Sequence, residues 1–196
     1  MERVQFTAMI DGSPDDYRLL EEMEQQHVEG LPERVLSALT SLENGIGGYQ
    51  VTRLEHSLQT ACRAEDDGAD IEWVVAALIH DLGDDLAPLN HAQFAAAVIR
   101  PYVRAEVTWA VEHHGLFQRF YYAHHLGQDR NGRALYQDHP YYDACVNFCE
   151  RWDQASFDPG YPTRPLNHFA PKVLEVFSRP PFDAGPDADL DSKPVC

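Results

Sequence analysis

A chain of 196 residues fits one domain, and with 44% of them apolar it has ample material for a core. Its formal charge of −17, from 32 acidic against 15 basic residues, sets it against phosphate backbones and anionic lipid, so neither nucleic acid nor a membrane is an expected partner. No uncharged apolar run reaches the roughly 18 residues that suggest a membrane span, and the amino terminus lacks the basic-then-apolar pattern of a signal peptide, which together point to a cytoplasmic protein.

After an irregular first dozen residues, Ser13-Pro14-Asp15-Asp16 opens a helix with a capping hydroxyl, a proline in the first turn and acids at the positive end. This helix is expected to run to about His27, where Gly30-Leu31-Pro32 breaks it. A second amphipathic helix follows from Pro32 to Leu42, carrying Val35, Leu36, Leu39 and Leu42 on one face. The stretch 44–49, with three glycines in four positions, reads as a flexible loop ending in Tyr49. Helix three, about Val51 to Ala64, turns Leu54, Leu58, Ala61 and Cys62 inward and places His56 close to that face. Asp70 caps a fourth helix, Trp73 to Ile79, that is apolar on every side and delivers His80-Asp81 to a glycine turn; such a helix belongs at the centre of the molecule.

Asn90 is expected to cap the next helix, with His91 in its first turn and Pro101 at its end. Helix six, roughly Arg104 to Tyr122, sets Val107, Ala110, Val111 and His114 at helical spacing before an aromatic run that includes Phe117, Phe120, Tyr121 and Tyr122. The polar segment His124 to His139 reads as a loop or short helix. Helix seven, about Pro140 to Trp152, ends in Asp153, and a last helix spans Leu166 to Phe177. From Arg179 onward the proline, glycine and aspartate content predicts a disordered tail, leaving 1–178 as one helical domain. No strand-period run and no internal repeat interrupts the pattern, so the fold class is all-α. Cys62, Cys145, Cys149 and Cys196 make no zinc-type pair of pairs and are expected as reduced thiols.

Taken one at a time, each buried histidine is as well explained by a hydrogen-bonded core residue as by a ligand. Jointly, His56, His80, Asp81, His91, His114 and Asp153 place four imidazoles and two carboxylates at the inner faces or ends of separate helices. That set fills two metal sites with positions left over, and one carboxylate can bridge two ions roughly 3.5 to 4 Å apart. Nitrogen and oxygen donors without thiolates suit iron, manganese or zinc.

The order His, His-Asp, His, His and a late Asp, with Leu54-Glu55-His56-Ser57-Leu58-Gln59 ahead of His80-Asp81-Leu82-Gly83, resembles the HD-domain superfamily over about residues 49–153. Within it, the Leu-Glu-His-Ser-Leu-Gln segment and the Arg151-Trp152-Asp153 ending are most similar to the mixed-valent diiron oxygenases, among them myo-inositol oxygenase and enzymes that cleave hydroxylated aminophosphonates. The resemblance implies an HD-type bundle around two iron ions, Fe(II)/Fe(III), bridged by Asp81. His56, His80 and Asp153 would hold the iron that a substrate with vicinal heteroatoms chelates; His91 and His114 would hold the one that meets O2, the co-substrate.

Several residues depart from those relatives. Asp84 stands where they carry a lysine or a histidine, and a carboxylate there favours an amine or trimethylammonium over an anion. Gln118, with Arg119 beside it, takes the place of a lysine of the aminophosphonate enzymes. Of those enzymes' tyrosine and glutamate gate, Ile46 occupies the first position and Tyr49 the second, from which Tyr49 could still cover the metal site. His124, His125 and His139, with Arg130 and Arg133, are candidates to bind an acidic substrate group, though capping or surface roles serve them equally. His113 adjoins His114 and points about 100° away on a helix, toward the surface or behind the ligands. The aromatic run reads first as core, and beside Asp84 it would suit a quaternary ammonium. Three functions stay open: the oxygenase acting on a small aminophosphonate or polyol, a metal-dependent phosphohydrolase, and a non-catalytic scaffold. No partner protein is indicated.

Overall fold

In the computed structural model, residues 3–182 are described, and all of their regular structure is helical. The elements are α1 (Pro14–Glu29), α2 (Leu31–Ser41), α3 (Arg53–Asp66), α4 (Ile71–Ile79), α5 (His91–Ile99), α6 (Ala105–Tyr122), α7 (Tyr142–Asn147), a π-helical segment (Phe148–Asp153) and α8 (Leu166–Phe177). The segment 123–139 is not a plain loop: it holds two short 3-10 helices, Ala123–Leu126 and Gly132–Tyr136. No helix among the described residues is long and apolar enough to cross a membrane.

The central helix is α4. Asp70 caps it by accepting from Glu72 N and Trp73 N, and every residue from Val74 to Ile79 is buried. It packs on α3, α6 and α8, which makes it the axis of the core. Because α4 is apolar all round, it can be surrounded, and its carboxyl end therefore opens in the middle of the bundle rather than at its surface.

Local chemistry fixes the elements that meet there. Thr52 and Glu55 form a reciprocal capping box at the start of α3, one turn before His56. After α4 the chain turns through His80-Asp81-Leu82-Gly83, where a Cβ on Gly83 would stand 2.8 Å from His91 Cα and 2.8 Å from its carbonyl oxygen. Only glycine lets this turn approach the start of α5 so closely, and that approach carries His91 toward Asp81. Asn90 occupies the position before α5, but its side chain makes no capping hydrogen bond, contrary to the sequence expectation.

Helix seven does not run through as one α-helix. From Phe148 it widens to a π-helix, in which Gln154 N donates to Cys149 O five residues back. π-Segments inside helices are frequent at functional sites, and this one ends on Asp153. Cys62, Cys145 and Cys149 are buried free thiols, whereas Cys196 lies outside the described residues. Most of the tail expected from Arg179 also lies outside them. Its first part is held: Arg179 pairs with Glu72 at 2.9 Å and Phe182 N donates to Pro101 O at 2.7 Å.

Candidate metal centre

All six residues singled out from the sequence come together at the end of α4. His56 arrives from α3, His80 and Asp81 from the turn after α4, His91 from α5, His114 from α6 and Asp153 from the π segment. Three overlapping groups, His56–His80–Asp81, His80–His114–Asp153 and Asp81–His91–His114, each bring candidate ligand atoms within 4.8 Å of one another. All but His91 are buried.

The orientation of the rings is set from behind. His56 Nδ1 lies 2.9 Å from Ser156 O, His80 Nδ1 2.8 Å from Ala77 O and His114 Nδ1 2.6 Å from Val111 O. A carbonyl can only accept, so each Nδ1 carries the proton and each neutral ring presents a bare Nε2 lone pair inward. Those lone pairs face one another and two carboxylates. His56 Nε2 is 3.1 Å from His80 Nε2, both are 3.1 Å from Asp81 Oδ2, and His56 Nε2 is 3.3 Å from Asp153 Oδ1.

On the other side, Asp81 Oδ1 lies 3.3 Å from His114 Nε2 and 3.5 Å from His91 Nε2. The two oxygens of one carboxylate are thus turned toward two different imidazole pairs. Asp153 Oδ2 is buried with no partner at all.

Apart from Arg53, which donates to Asp81 Oδ2, and Gln118, which donates to Asp153 Oδ1, the cluster sets acceptor against acceptor, and burial removes the water that would relieve the repulsion. Protons or metal ions answer it. Supplied with protons alone, the site takes them up: burial opposes charge on His80, but Asp81 and Asp153 outweigh it and push His80 up to about 10. His56 is raised in the same way, against its burial, by hydrogen bonds to Asp153 and Asp81. The carboxyls of Asp81 and Asp153 are correspondingly held below the usual carboxylate range, although burial alone would raise them. A metal ion meets the same demand. Ligand atoms bound at about 2.0–2.2 Å around one ion stand roughly 2.9–3.4 Å apart, which matches the 3.1–3.3 Å of the His56–His80, His56–Asp81, His80–Asp81 and His56–Asp153 contacts, with His80–Asp153 wider at 3.7 Å. The donor set of imidazole and carboxylate is that of iron, manganese or zinc rather than of a thiolate site.

A cavity of about 560 Å³ opens over this cluster. Its walls are the candidate ligands other than His80, together with Tyr49, Arg53, Gly115, Gln118, Tyr121, Tyr122, Gln154 and Phe157. Tyr49 stacks on Phe157 with ring centroids 5.0 Å apart, and Phe157 stacks on His56 at 4.3 Å, so an aromatic ladder climbs from the centre to the mouth. Gln118 Nε2 donates to Asp153 Oδ1 at 2.8 Å and leaves its own Oε1 without a partner.

Arg53 is the single Lys or Arg side chain on these walls; its guanidinium donates to both Asp81 Oδ2 and Asp84 Oδ2. Sequence reading passed over it, yet the signal was there, since Arg53 sits three residues before His56 and hence on the same face of α3. Phe157 gave no such signal, because a loop brings it to His56 from a hundred residues away.

Other expected substrate contacts fall elsewhere. Asp84 is not on the cavity wall: it lies behind Arg53, whose charge it matches, with His91 Nδ1 at 3.6 Å. Arg119 donates to Gln128 and lines a neighbouring cleft. His124 and His125 are exposed, away from the cavity. Arg130 and Arg133 lie against the Phe120 ring, at 4.0 and 3.6 Å from its centroid, instead of reaching the centre. His113 and His139 both stack on Trp109, each at 4.1 Å. Phe117 belongs to the core, whereas Tyr121 and Tyr122 do reach the cavity.

Comparison with known proteins agrees with this geometry. The chain is 32% identical over 84 residues to the [1-hydroxy-2-(trimethylamino)ethyl]phosphonate dioxygenase (glycine-betaine-forming) of Leisingera caerulea; the match covers 37% of this chain and 43% of that enzyme. The chain therefore spans less than half the length of the curated relative it matches. Residues 53–140 match the HD domain family. With His80-Asp81 at the heart of an all-helical bundle and Asp153 delivered from just beyond the matched span, residues 53–140 of this protein are an HD domain.

Proposed function

We propose that the protein is an oxygenase that uses two iron ions and O2 to cleave a small hydroxylated substrate oxidatively, of the 1-hydroxy-2-aminophosphonate class with an amine or trimethylammonium group, or a polyol. The observation that carries this reading is the carboxylate of Asp81, whose two oxygens face the His56–His80 pair and the His91–His114 pair. It suits a bridge between two ions. His56, His80 and Asp153 would hold one ion and His91 with His114 the other; such a pair supplies electrons and a binding position for O2. The likeness to an enzyme named as a phosphonate dioxygenase favours O2 chemistry and this substrate class.

The chain's own residues account for binding. The faces of Tyr49, Phe157, Tyr121 and Tyr122 offer a π-rich wall to a quaternary or primary ammonium. Arg53, whose Nη2 and Nε go to Asp81 and Asp84, keeps Nη1 as a donor for an acidic group at the other end, its direction fixed by Asp84 behind it. This division replaces the reading of Asp84 as the group that selects cations, because its charge is matched by Arg53 before it reaches the cavity. Gln118 holds Asp153 in place and presents Oε1 as an acceptor for a substrate hydroxyl or ammonium.

Arg53 beside two metal positions also suits a phosphate ester, so a metal-dependent phosphohydrolase is the second reading. The test separates them. Protein purified without air and loaded with iron is mixed with [1-hydroxy-2-(trimethylamino)ethyl]phosphonate. The oxygenase reading expects O2 uptake matched one-to-one by phosphate and glycine betaine, together with the low-temperature EPR signal of a coupled Fe(II)/Fe(III) pair. Phosphate release from p-nitrophenyl phosphate with manganese, independent of O2, would replace it with the hydrolase.

A further inference from the structure

We propose that Gln59 is a positioning residue of the metal centre: it holds the loop that follows Asp153 against α3, and through that loop it fixes the ring of His56. This rests on His56 binding an ion through Nε2, and not on which reaction that ion serves. Gln59 is not on the cavity wall, so it acts through other residues and not on a substrate.

Gln59 follows His56 by three positions on α3 and so shares its face. It is 1% exposed, although glutamine mostly stays in water. A buried amide has to be hydrogen-bonded, and this one is directed at a single residue. Its Nε2 donates to Asp158 O at 2.8 Å, and its Oε1 accepts from Asp158 N at 3.2 Å. The side chain thus pairs both backbone groups of Asp158, as a neighbouring strand would.

What this grip controls lies one and two residues earlier. Ser156 O, 2.9 Å from His56 Nδ1, is the acceptor that keeps the proton on Nδ1 and leaves the Nε2 lone pair facing inward. Phe157 stacks on His56 and carries the ring of Tyr49. Residues 154–165 lie between the π segment and α8 and contain no helix, so they have no hydrogen-bond ladder of their own. Ser156 N donates to Asp153 O at 3.0 Å and Ser156 Oγ to Trp152 O at 2.6 Å, which ties the loop to the π segment but not to the helix that carries His56. Gln59 supplies that tie. Farther along the loop, Tyr161 Oη donates to Asp66 at 3.0 Å, an anchor to the same helix two turns beyond Gln59.

The experiment loads wild type, Gln59→Leu and Tyr161→Phe with Co(II) alone. Competition with a chelator reads the affinity of each ion, and proton NMR follows the ring N–H protons beside the paramagnetic ions. In Gln59→Leu one ion, that of His56, should bind about 10-fold or more weakly while the other keeps its affinity, because loss of the group that orients a ligating histidine typically costs about 10- to 100-fold. The Nδ1 proton of His56 should exchange with water faster than in wild type. Those of His80 and His114, whose acceptors are Ala77 O and Val111 O, should not. Tyr161→Phe loosens the outer part of the loop and leaves Gln59 in place, and should match wild type in both readings. If Gln59→Leu does not fold, Gln59→Glu, whose carboxylate still accepts from Asp158 N but cannot donate to Asp158 O, is expected to show the same selective loss. Wild-type affinities with an unchanged His56 proton in the Gln59 variants overturn the proposal. So does an equal loss at both ions, or a Tyr161→Phe protein that loses as much as Gln59→Leu. A wild type that takes up no Co(II) removes the metal reading itself, whereas a wild type with two ions beside an undisturbed Gln59→Leu protein removes the role of Gln59 alone.

Discussion

Replacing Asp81 by alanine tests the arrangement where it is most exposed to failure. Its carboxylate is buried, accepts from Arg53 and faces four imidazoles. Without it, Arg53 keeps only Asp84, and the imidazoles keep Asp153 beside His56 and His80 and Asp84 beside His91 as counter-charges. Breaking a buried pair by removing one partner costs about 3–5 kcal/mol, which is a large share of the roughly 5–15 kcal/mol that holds a domain together. For a chain of this size about 2–4 °C is lost per kcal/mol, so the metal-free variant should melt about 6–20 °C below wild type.

The metal response is more specific. An ion at about 100 times its Kd adds about 2.7 kcal/mol per site, hence about 5–11 °C per ion and about 11–22 °C for the two ions of wild type. Asp81→Ala removes a ligand from both positions and should show no such rise. Asp84→Ala, which removes the support of Arg53 and the carboxylate 3.6 Å from His91 Nδ1 but none of the six ligands, should keep most of it. Differential scanning calorimetry with metal analysis reads all of this. An Asp81→Ala protein that still binds two ions per chain, with the wild-type rise, refutes the bridging role.

The pH dependence of the metal-free protein follows from the same cluster. His80 is pushed up to about 10 from its ordinary 6.5, so its contribution to stability is complete below pH 6.5 and is lost as pH rises toward 10. Asp153 and Asp81, held below their ordinary 3.8, contribute above that value and lose their contribution as pH falls beneath it. The melting temperature without metal should therefore fall between pH 6.5 and 10, while metal affinity rises over the same range as the ion displaces protons; a metal-free melting temperature that climbs instead contradicts the assignment. Gln118→Leu keeps the volume but removes the donor to Asp153, and should weaken one of the two ions about 10- to 100-fold in a competition titration. Equal affinity would show that Gln118 does not hold the ligand. Gly83→Ala forces a Cβ to within 2.8 Å of the His91 backbone and should cost about 1–3 kcal/mol through displacement of α5. A melting temperature within 1 °C of wild type would show that the turn yields without strain (about 2–4 °C per kcal/mol is expected).

What the sequence disclosed depended on how far each signal is local. The helical class, the caps at Ser13 and Asp70 and the burial of α4 follow from periodicity and side-chain chemistry, and the structure carries all three. The six convergent residues were visible because polar groups at the inner faces of apolar helices have to meet something. Direction was harder to read. Asp84 is one turn from Asp81, yet whether its carboxylate faces the cavity is decided by Arg53, which arrives from another helix. His113, His139, Arg130 and Arg133 are drawn to aromatic rings on neighbouring elements, contacts that no spacing along the chain encodes. Phe157 is hidden for the same reason, and the π segment, whose Phe148 and Trp152 pack against Trp73 from another helix, has no counterpart in the local helical pattern.

The central claim is that cations lie on both sides of one carboxylate, and diffraction from crystals of metal-loaded protein measures it directly. Anomalous maps at the metal edge should show two peaks, one between Asp81 Oδ2 and the His56–His80 pair, the other between Oδ1 and the His91–His114 pair. A single peak, or peaks away from Asp81, would contradict the account.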